Sequence, residues 1–383
     1  MLKFLFKIAT WLALHIFYIL PVKENQIFFR AFHGKKYDCN PKYLFLYMLK
    51  KYGDSYTYIW ELGDAGQVIN GASSVRRLSI KSFMAMMTSK YIVTNNDFMW
   101  WIPLRRSQVM LETWHGGGAY KRVGLYEKWS RLMLLDQKWN ARQVTYYISS
   151  SRKFTEVQAP SKWVPEEKFI NTGMPRNEVF FYPEKVTQLR EKVFAHFGLR
   201  ADSDIKIVLY APTYRGLTGY KGSGKDIKIT PDYKALLEAL GQKYGGRWVL
   251  FFRSHYFDSS LTEQLPDSVV DATKYEDMQE LLCAADVLVT DFSSSIWDFG
   301  LTKKPCFLFA SDLQQYIADR GFYTDPFTWP FPMAQNDGEL SRNILSFDET
   351  TYKKAVQKHL TDFGSYENKD ACAKVCQAIG ITG

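Results

Sequence analysis

Val287-Leu288-Val289-Thr290-Asp291-Phe292-Ser293-Ser294-Ser295-Ile296-Trp297-Asp298 is the stretch from which the fold of this 383-residue chain can be read. Four residues suited to a buried strand run into an acidic residue and serine hydroxyls, and then into a pattern that can be helical. A helix opening directly off a strand presents unpaired backbone N–H groups and the positive end of its dipole. Serine hydroxyls placed there make a phosphate seat. The same residue types also supply ordinary helix N-caps, which is the commoner role when the segment is taken alone. What shifts the balance is that similar strand ends recur along the chain.

Working outward, apolar runs of strand length alternate with helical stretches. Ile27–Phe32, Thr57–Trp60, Tyr91–Thr94, Gln108–Glu112 and Tyr146–Ser149 read as strands, with helices over Pro41–Tyr52 and Ile80–Ser89. A second series comprises Lys206–Tyr210, a helix at Pro231–Lys243, Arg247–Phe252, Val269–Asp271, a helix at Met278–Ala284, Val287–Thr290 and Pro305–Phe309. This alternation predicts an α/β protein built of parallel sheets and crossover units. The expectation is two Rossmann-like, doubly wound domains facing across a cleft, residues 23–190 and 191–383. The charged stretch Glu184–Phe197 would form a hinge-side helix, and one amphipathic helix over Thr351–Ala378 would close the fold.

Composition bounds the partners. Apolar residues make up 46% and charged residues 23%, an ordinary globular balance that excludes a disordered chain. A net charge of +9 and an aromatic share of 16% favour anionic partners and wide grooves or a membrane-facing surface. The five cysteines are scattered without metal-ligand spacing, and read as reduced, buried thiols in a cytosolic protein. Residues 1–22 form a separate element. From Ile8 to Val22 there is no Lys, Arg, Asp or Glu, and only His15 and Tyr18 can ionise, but that span is too short to cross a bilayer, which takes about 20 residues. Lys3, Lys7 and Thr10 share one helical face, opposite Leu2, Leu5, Phe6, Ile8 and Ala9. The expectation is an amphipathic helix lying in a membrane surface, with a buried core helix and a signal peptide as alternatives.

In open parallel sheets, ligands sit beyond the carboxyl ends of the strands. The unusual polar residues fall there. After Gln108–Glu112 come Thr113-Trp114-His115-Gly116-Gly117-Gly118-Ala119-Tyr120-Lys121-Arg122. A histidine on such a loop can act as general base, the glycines admit close backbone approach, and Lys121 and Arg122 can hold phosphate. A glycine-rich turn with a structural histidine is the plainer reading of that segment. Ala211-Pro212-Thr213-Tyr214-Arg215 offers a hydroxyl and a guanidinium from a stiff turn. Arg253-Ser254-His255 puts an arginine and a histidine on one side of a strand end. Thr290, Asp291, Ser293 and Ser294 follow, and then Asp319-Arg320-Gly321-Phe322-Tyr323. Any one cluster is weak; their recurrence describes a diphosphate site. There is no G-x-G-x-x-G after the first strand and no G-x-x-x-x-G-K-[ST], which argues against NAD enzymes and P-loop ATPases. The one Asp-x-Asp, Asp202-Ser203-Asp204, stands ahead of the strand Lys206–Tyr210 and not at a strand's carboxyl end, so arginines, histidines and helix N-termini would neutralise the leaving group.

Trp114-His115-Gly116, Ala211–Arg215, Arg253–His255, Thr290–Ser294 and Asp319–Tyr323 resemble, in order, motifs of the CDP-glycerol glycerophosphotransferase family, the teichoic acid primases and polymerases. Asn40-Pro41-Lys42-Tyr43 and Gly173-Met174-Pro175-Arg176-Asn177 resemble two further motifs of that family. The resemblance implies a GT-B architecture and transfer without metal or cofactor. The implied donor is CDP-glycerol or a related CDP-polyol. The implied acceptor is a lipid-linked saccharide or polyol phosphate, with the enzyme peripheral at the cytoplasmic face of the membrane and no nucleic-acid partner. It makes His115 the base and sets His255 beside the donor phosphates. It makes Ser293 and Ser294 pyrophosphate ligands, assisted by Arg215. Thr213, Arg253, Thr290, Asp291 and Arg320 complete the expected donor side, and Gly116, Gly117, Lys121 and Arg122 the acceptor side. Where many members read Trp-His-Gly-Thr-Pro-Leu-Lys, this chain has Gly117-Gly118-Ala119-Tyr120-Lys121, so the acceptor is open. The chain does not carry the N-terminal region of long polymerases, which points to a primase or short-chain transferase. The rival readings are a GT-B glycosyltransferase using a nucleotide sugar and a non-catalytic membrane or nucleic-acid binding protein.

Overall fold

The computed structural model describes residues 2–382 other than 65, 128, 201–203, 214–229, 255–264 and 267. Its chain divides into two compact units. The first comprises Met1–His115, Trp129–Glu178 and Tyr366–Gly383; the second comprises Gly116–Lys128 and Val179–Ser365. The division is therefore not the contiguous one expected at 190/191. Tyr120 is sunk among the buried residues of the second unit, which carries Gly116–Lys128 with it. Ala371–Ala378 packs against the Cys39–Tyr52 helix, which returns the C-terminus to the first.

In the first unit the strands are β1 (Lys23–Arg30), β2 (Thr57–Leu62), β3 (Ser73–Arg76), β4 (Ser89–Thr94), β5 (Val109–Glu112), β6 (Tyr146–Ile148) and β7 (Phe169–Ile170). They form one sheet in the order β3-β2-β1-β4-β5-β6-β7, with every pairing parallel. Strand order reverses beside β1, the topology of a doubly wound sheet. Ile27, Phe28 and Phe29 on β1 are wholly buried, as a strand covered on both faces requires. Arg30 and Glu61, at adjacent strand ends, form an ion pair at 2.8 Å that is almost fully buried. The other carboxylate oxygen, Glu61 Oε1, accepts from the Ser82 hydroxyl and the Leu78 N–H.

The second unit repeats the plan with β8 (Ile205–Tyr210), β9 (Arg247–Phe252), β10 (Val269–Asp271), β11 (Val287–Thr290), β12 (Cys306–Phe309) and β13 (Met333–Ala334). Their order is β10-β9-β8-β11-β12-β13, again all parallel. All four residues of β11 are buried, with Leu288 in register with Leu209 on one side and Cys306 on the other. The Met278–Ala284 helix starts where Asp277 accepts from the Gln279 and Glu280 N–H groups. The helix expected over Thr351–Ala378 is broken into Glu349–Asp362 and Ala371–Ala378. Gly364 takes φ +63° just past the first, a left-handed stop that glycine adopts without steric cost. All five cysteines are free and buried.

The N-terminal helix, Leu2–Leu14, belongs to the first unit, and a 3-10 turn continues it over His15–Ile19. Lys7 pairs with Asp136, and Phe4 lies against Trp100 and Trp139. Among the described residues no helix is long and apolar enough to cross a membrane.

Candidate functional site

His115 stands just beyond the carboxyl end of β5 and is the last residue of the first chain segment of the first unit. Thr113 is fastened to the end of β4, since its N–H and hydroxyl both donate to the Thr94 carbonyl. Trp114 then turns through φ +51°, a left-handed conformation costing a bulky residue roughly 1–3 kcal/mol. Its N–H donates to the Glu112 carboxyl at 2.9 Å, and its ring lies 4.0 Å beneath the Lys162 ammonium, itself paired with Asp97 at 2.9 Å. Burial, with the charge of Asp97 second, pushes the Glu112 carboxyl well above the usual carboxylate range.

The imidazole of His115 lies against the rings of Trp114 and Phe32 and is oriented by a hydrogen bond. Its Nδ1 lies 2.8 Å from the Asn95 carbonyl oxygen. A carbonyl can only accept, so the proton resides on Nδ1 and the lone pair on Nε2. Burial, reinforced by Arg176 and Lys162, holds the ring's pKa down to about 4 although the Asn95 bond opposes it. The ring is therefore neutral at physiological pH, the form a general base needs.

Around this turn the two motifs without an assigned role come together. Asn40 donates through Nδ2 to the Thr113 and Trp114 carbonyls, each at 3.0 Å. Arg176 donates through Nη1 to the His115 carbonyl at 2.7 Å, and its own N–H bonds to the Asn40 Oδ1. Glu367 secures that segment in turn by accepting from the Met174 N–H and the Asn177 amide, both at 3.0 Å. The sequence flagged Asn40 and Arg176 only through family resemblance. Asn95 and Glu367 carried no signal, because one acts through its backbone and the other is a lone acid far along the chain.

In the second unit the expected donor residues cluster at the adjacent ends of β9, β8 and β11. Several prove to be occupied in holding those ends. Asp291 accepts from the Thr213 N–H at 2.9 and 3.0 Å and from its hydroxyl. The Thr290 hydroxyl donates to the Ala211 carbonyl at 2.6 Å. Thr213, Thr290 and Asp291 thus clasp β8 to β11. Arg253 donates through its backbone to Tyr210 and through its guanidinium to the Tyr275 and Glu276 carbonyls. Ser293 and Ser294 stay partly exposed at the start of the short Ser295–Gly300 helix. The Ser294 side chain makes no capping bond there, and Ser293 Oγ accepts from Ser295. Arg215 and His255 lie outside the described residues, as does the Lys221–Lys225 loop.

The segment after His115 is welded into this second unit. Tyr120 is 2% exposed, and its hydroxyl meets His359 Nε2 at 3.0 Å. Lys121 bridges to Phe322, and the Arg122 N–H donates to the Gly321 carbonyl. Arg320 pairs with Glu127 at 3.1 Å and donates to the Arg122 carbonyl. Gly116 is buried, and Gly117 faces the indole of Trp297 with no room for a side chain. Packing against Trp297 is by itself a reason for glycine at that position. Among the described residues no three His, Cys, Asp or Glu side chains gather to hold a metal ion.

Residues 12–380 match the family model described as CDP-Glycerol:Poly(glycerophosphate) glycerophosphotransferase. The chain belongs to this family. It is 30% identical over 374 residues to a teichoic acid glycerol-phosphate transferase of Staphylococcus aureus, covering 94% of both chains. It is 31% identical to a teichoic acid poly(glycerol phosphate) polymerase of Bacillus spizizenii, covering 94% of this chain and 93% of the relative. Among solved structures it is similar to the wall teichoic acid polymerase TagF in a variant soaked with CDPG. That likeness has a TM-score of 0.82 at 26% identity over 97% of this chain and 93% of the other.

Proposed function

We propose that this chain, a CDP-glycerol-dependent transferase of teichoic acid synthesis, moves one glycerol phosphate unit at a time to a hydroxyl of a lipid-linked acceptor. In this reading the two units are the two Rossmann-like domains of a GT-B architecture. His115 Nε2 takes the acceptor's hydroxyl proton as that oxygen attacks the β-phosphorus. The new P–O bond forms as the bridging P–O bond breaks, and CMP leaves with the bridging oxygen. Ser293, Ser294, Arg253, Arg215 and His255 serve the donor phosphates, and Lys121 and Arg122 lie toward the acceptor. Positioning and electrostatic stabilisation supply most of the acceleration. The observation that carries the reading is the Asn95 carbonyl on Nδ1, which leaves a neutral imidazole with its free lone pair on Nε2. Incubation with CDP-glycerol and, separately, with UDP-sugars in the presence of a lipid-linked acceptor tests it. CMP release with CDP-glycerol alone is expected; UDP release instead would establish a glycosyltransferase.

The same reading seats the N-terminal helix on the cytoplasmic face of the membrane. Its support is an inverted amphipathic face: Lys7 turns inward to Asp136, while Leu5, Phe6, Leu12, Ile16 and Ile19 are 55–84% exposed. Bare apolar surface of this kind marks an interaction site. Flotation with anionic vesicles should be lost in a Phe6→Asp/Ile19→Asp variant that keeps its melting temperature. Undiminished flotation would remove the helix from that role.

A further inference from the structure

We propose that Arg176 and Asn40 are positioning residues for His115, a role that rests on the reading of His115 as the base. Three consecutive carbonyls, those of Thr113, Trp114 and His115, are each met by a side-chain donor from one of these two residues. The two are tied to one another through the Arg176 N–H and the Asn40 Oδ1 at 3.1 Å. Both are buried, Asn40 at 0% and Arg176 at 5% exposure. The turn they brace contains the left-handed Trp114, a conformation that persists only where surrounding contacts over-determine it. Ordinary backbone partners are denied to these carbonyls because β5 has ended at Glu112. The brace therefore fixes where the imidazole begins, while Asn95 fixes how it is rotated.

This explains why a buried guanidinium lies beside a base that must stay neutral. It bonds the His115 backbone instead of the ring, and its charge helps to hold the imidazole deprotonated. Neither residue need touch the donor or the acceptor. Their removal should then lower turnover without altering donor affinity, since a misplacement of about 1 Å can cost on the order of 10²-fold in rate.

The test is a double-mutant cycle on the full chain, with Arg176→Met, His115→Ala and the pair. CMP release is read at saturating CDP-glycerol, with the donor dissociation constant measured alongside. Arg176→Met should lose about 10–100-fold in kcat with unchanged donor Kd, and Arg176→Lys should restore part of it. In the His115→Ala background Arg176→Met should cost nothing further, because groups acting through one another are non-additive. A loss that multiplies in the double variant is what general destabilisation would give, and it would overturn the proposal. So would full turnover in Arg176→Met. Should Arg176→Met fail to fold, Asn40→Asp replaces it, reversing the donor at two carbonyls with little change of shape. The same non-additivity is expected. If His115→Ala alone keeps near-normal turnover, the base assignment fails and this proposal with it; a multiplicative cycle refutes only the brace.

Discussion

Replacing Gly117 by alanine separates two explanations of the glycines that follow His115. A Cβ at this position would lie 2.5 Å from Trp297 Cδ1 and 2.9 Å from its Nε1, with Asp298 Oδ1 at 3.4 Å. Carbon atoms rest at about 3.5–4.0 Å, so the indole must retreat by roughly 1 Å. It has nowhere easy to go. Trp297 is 1% exposed, stacked on Phe363 at 6.0 Å and edge-on to His359 at 6.5 Å. Overpacking of this sort costs about 1–3 kcal/mol. For a unit of this size that is roughly 2–4 °C of melting temperature per kcal/mol, or about 2–12 °C in all. Calorimetry on the full chain measures it. Gly241→Ala is the control, since nothing lies within 4 Å of a Cβ there and the residue sits inside the Tyr233–Tyr244 helix. That variant should be neutral or stabilised by up to about 1 kcal/mol. An unchanged melting temperature for Gly117→Ala together with collapsed turnover would refute the packing argument, and would return Gly117 to the ligand.

Two further outcomes follow from the site. Burial holds His359 down to about 4 from 6.5, so the unfolded chain binds a proton there first as pH falls, and stability is lost between pH 6.5 and about 4. Relative to His359→Phe, the wild type should lose about 2 kcal/mol more between pH 7.5 and pH 5, at about 1.36 kcal/mol per pKa unit. Urea unfolding at both pH values checks this, and identical pH dependences would contradict it. Ser294→Ala should raise the CDP-glycerol Kd by about 10-fold, the worth of one hydrogen bond to a charged group; calorimetric titration giving an unchanged Kd would deny the phosphate seat.

Much of the fold was legible because buried parallel strands announce themselves. Ile27–Phe32, Tyr91–Thr94, Lys206–Tyr210 and Val287–Thr290 are apolar throughout or nearly so, and each marks an observed strand to within a few residues. What escaped was short or polar. β3 reads Ser-Ser-Val-Arg and leaves no residue buried, while β7 and β13 are two residues each. The helix Arg131–Gln143 is rich in charge and has Ala141 as its buried residue, while the buried face of Arg152–Lys162 sets the polar Gln158, Ser161 and Lys162 beside Phe154 and Ala159. At the site, residue type marked His115 correctly as a strand-end imidazole, but could not say which polar groups face outward. Asp291, Thr213 and Thr290 read as ligands in the sequence, and the fold adds that they clasp β8 to β11. Their partners come from a strand some 78 residues away in the chain, a pairing that local pattern does not encode.

The central claim is that the His115 imidazole removes the acceptor's proton. Turnover of His115→Ala, measured as CMP release at saturating CDP-glycerol with the donor Kd determined in parallel, tests it most directly. A fall of at least about 10²-fold with unchanged donor Kd is the expected result. Near-normal turnover in that variant would contradict it.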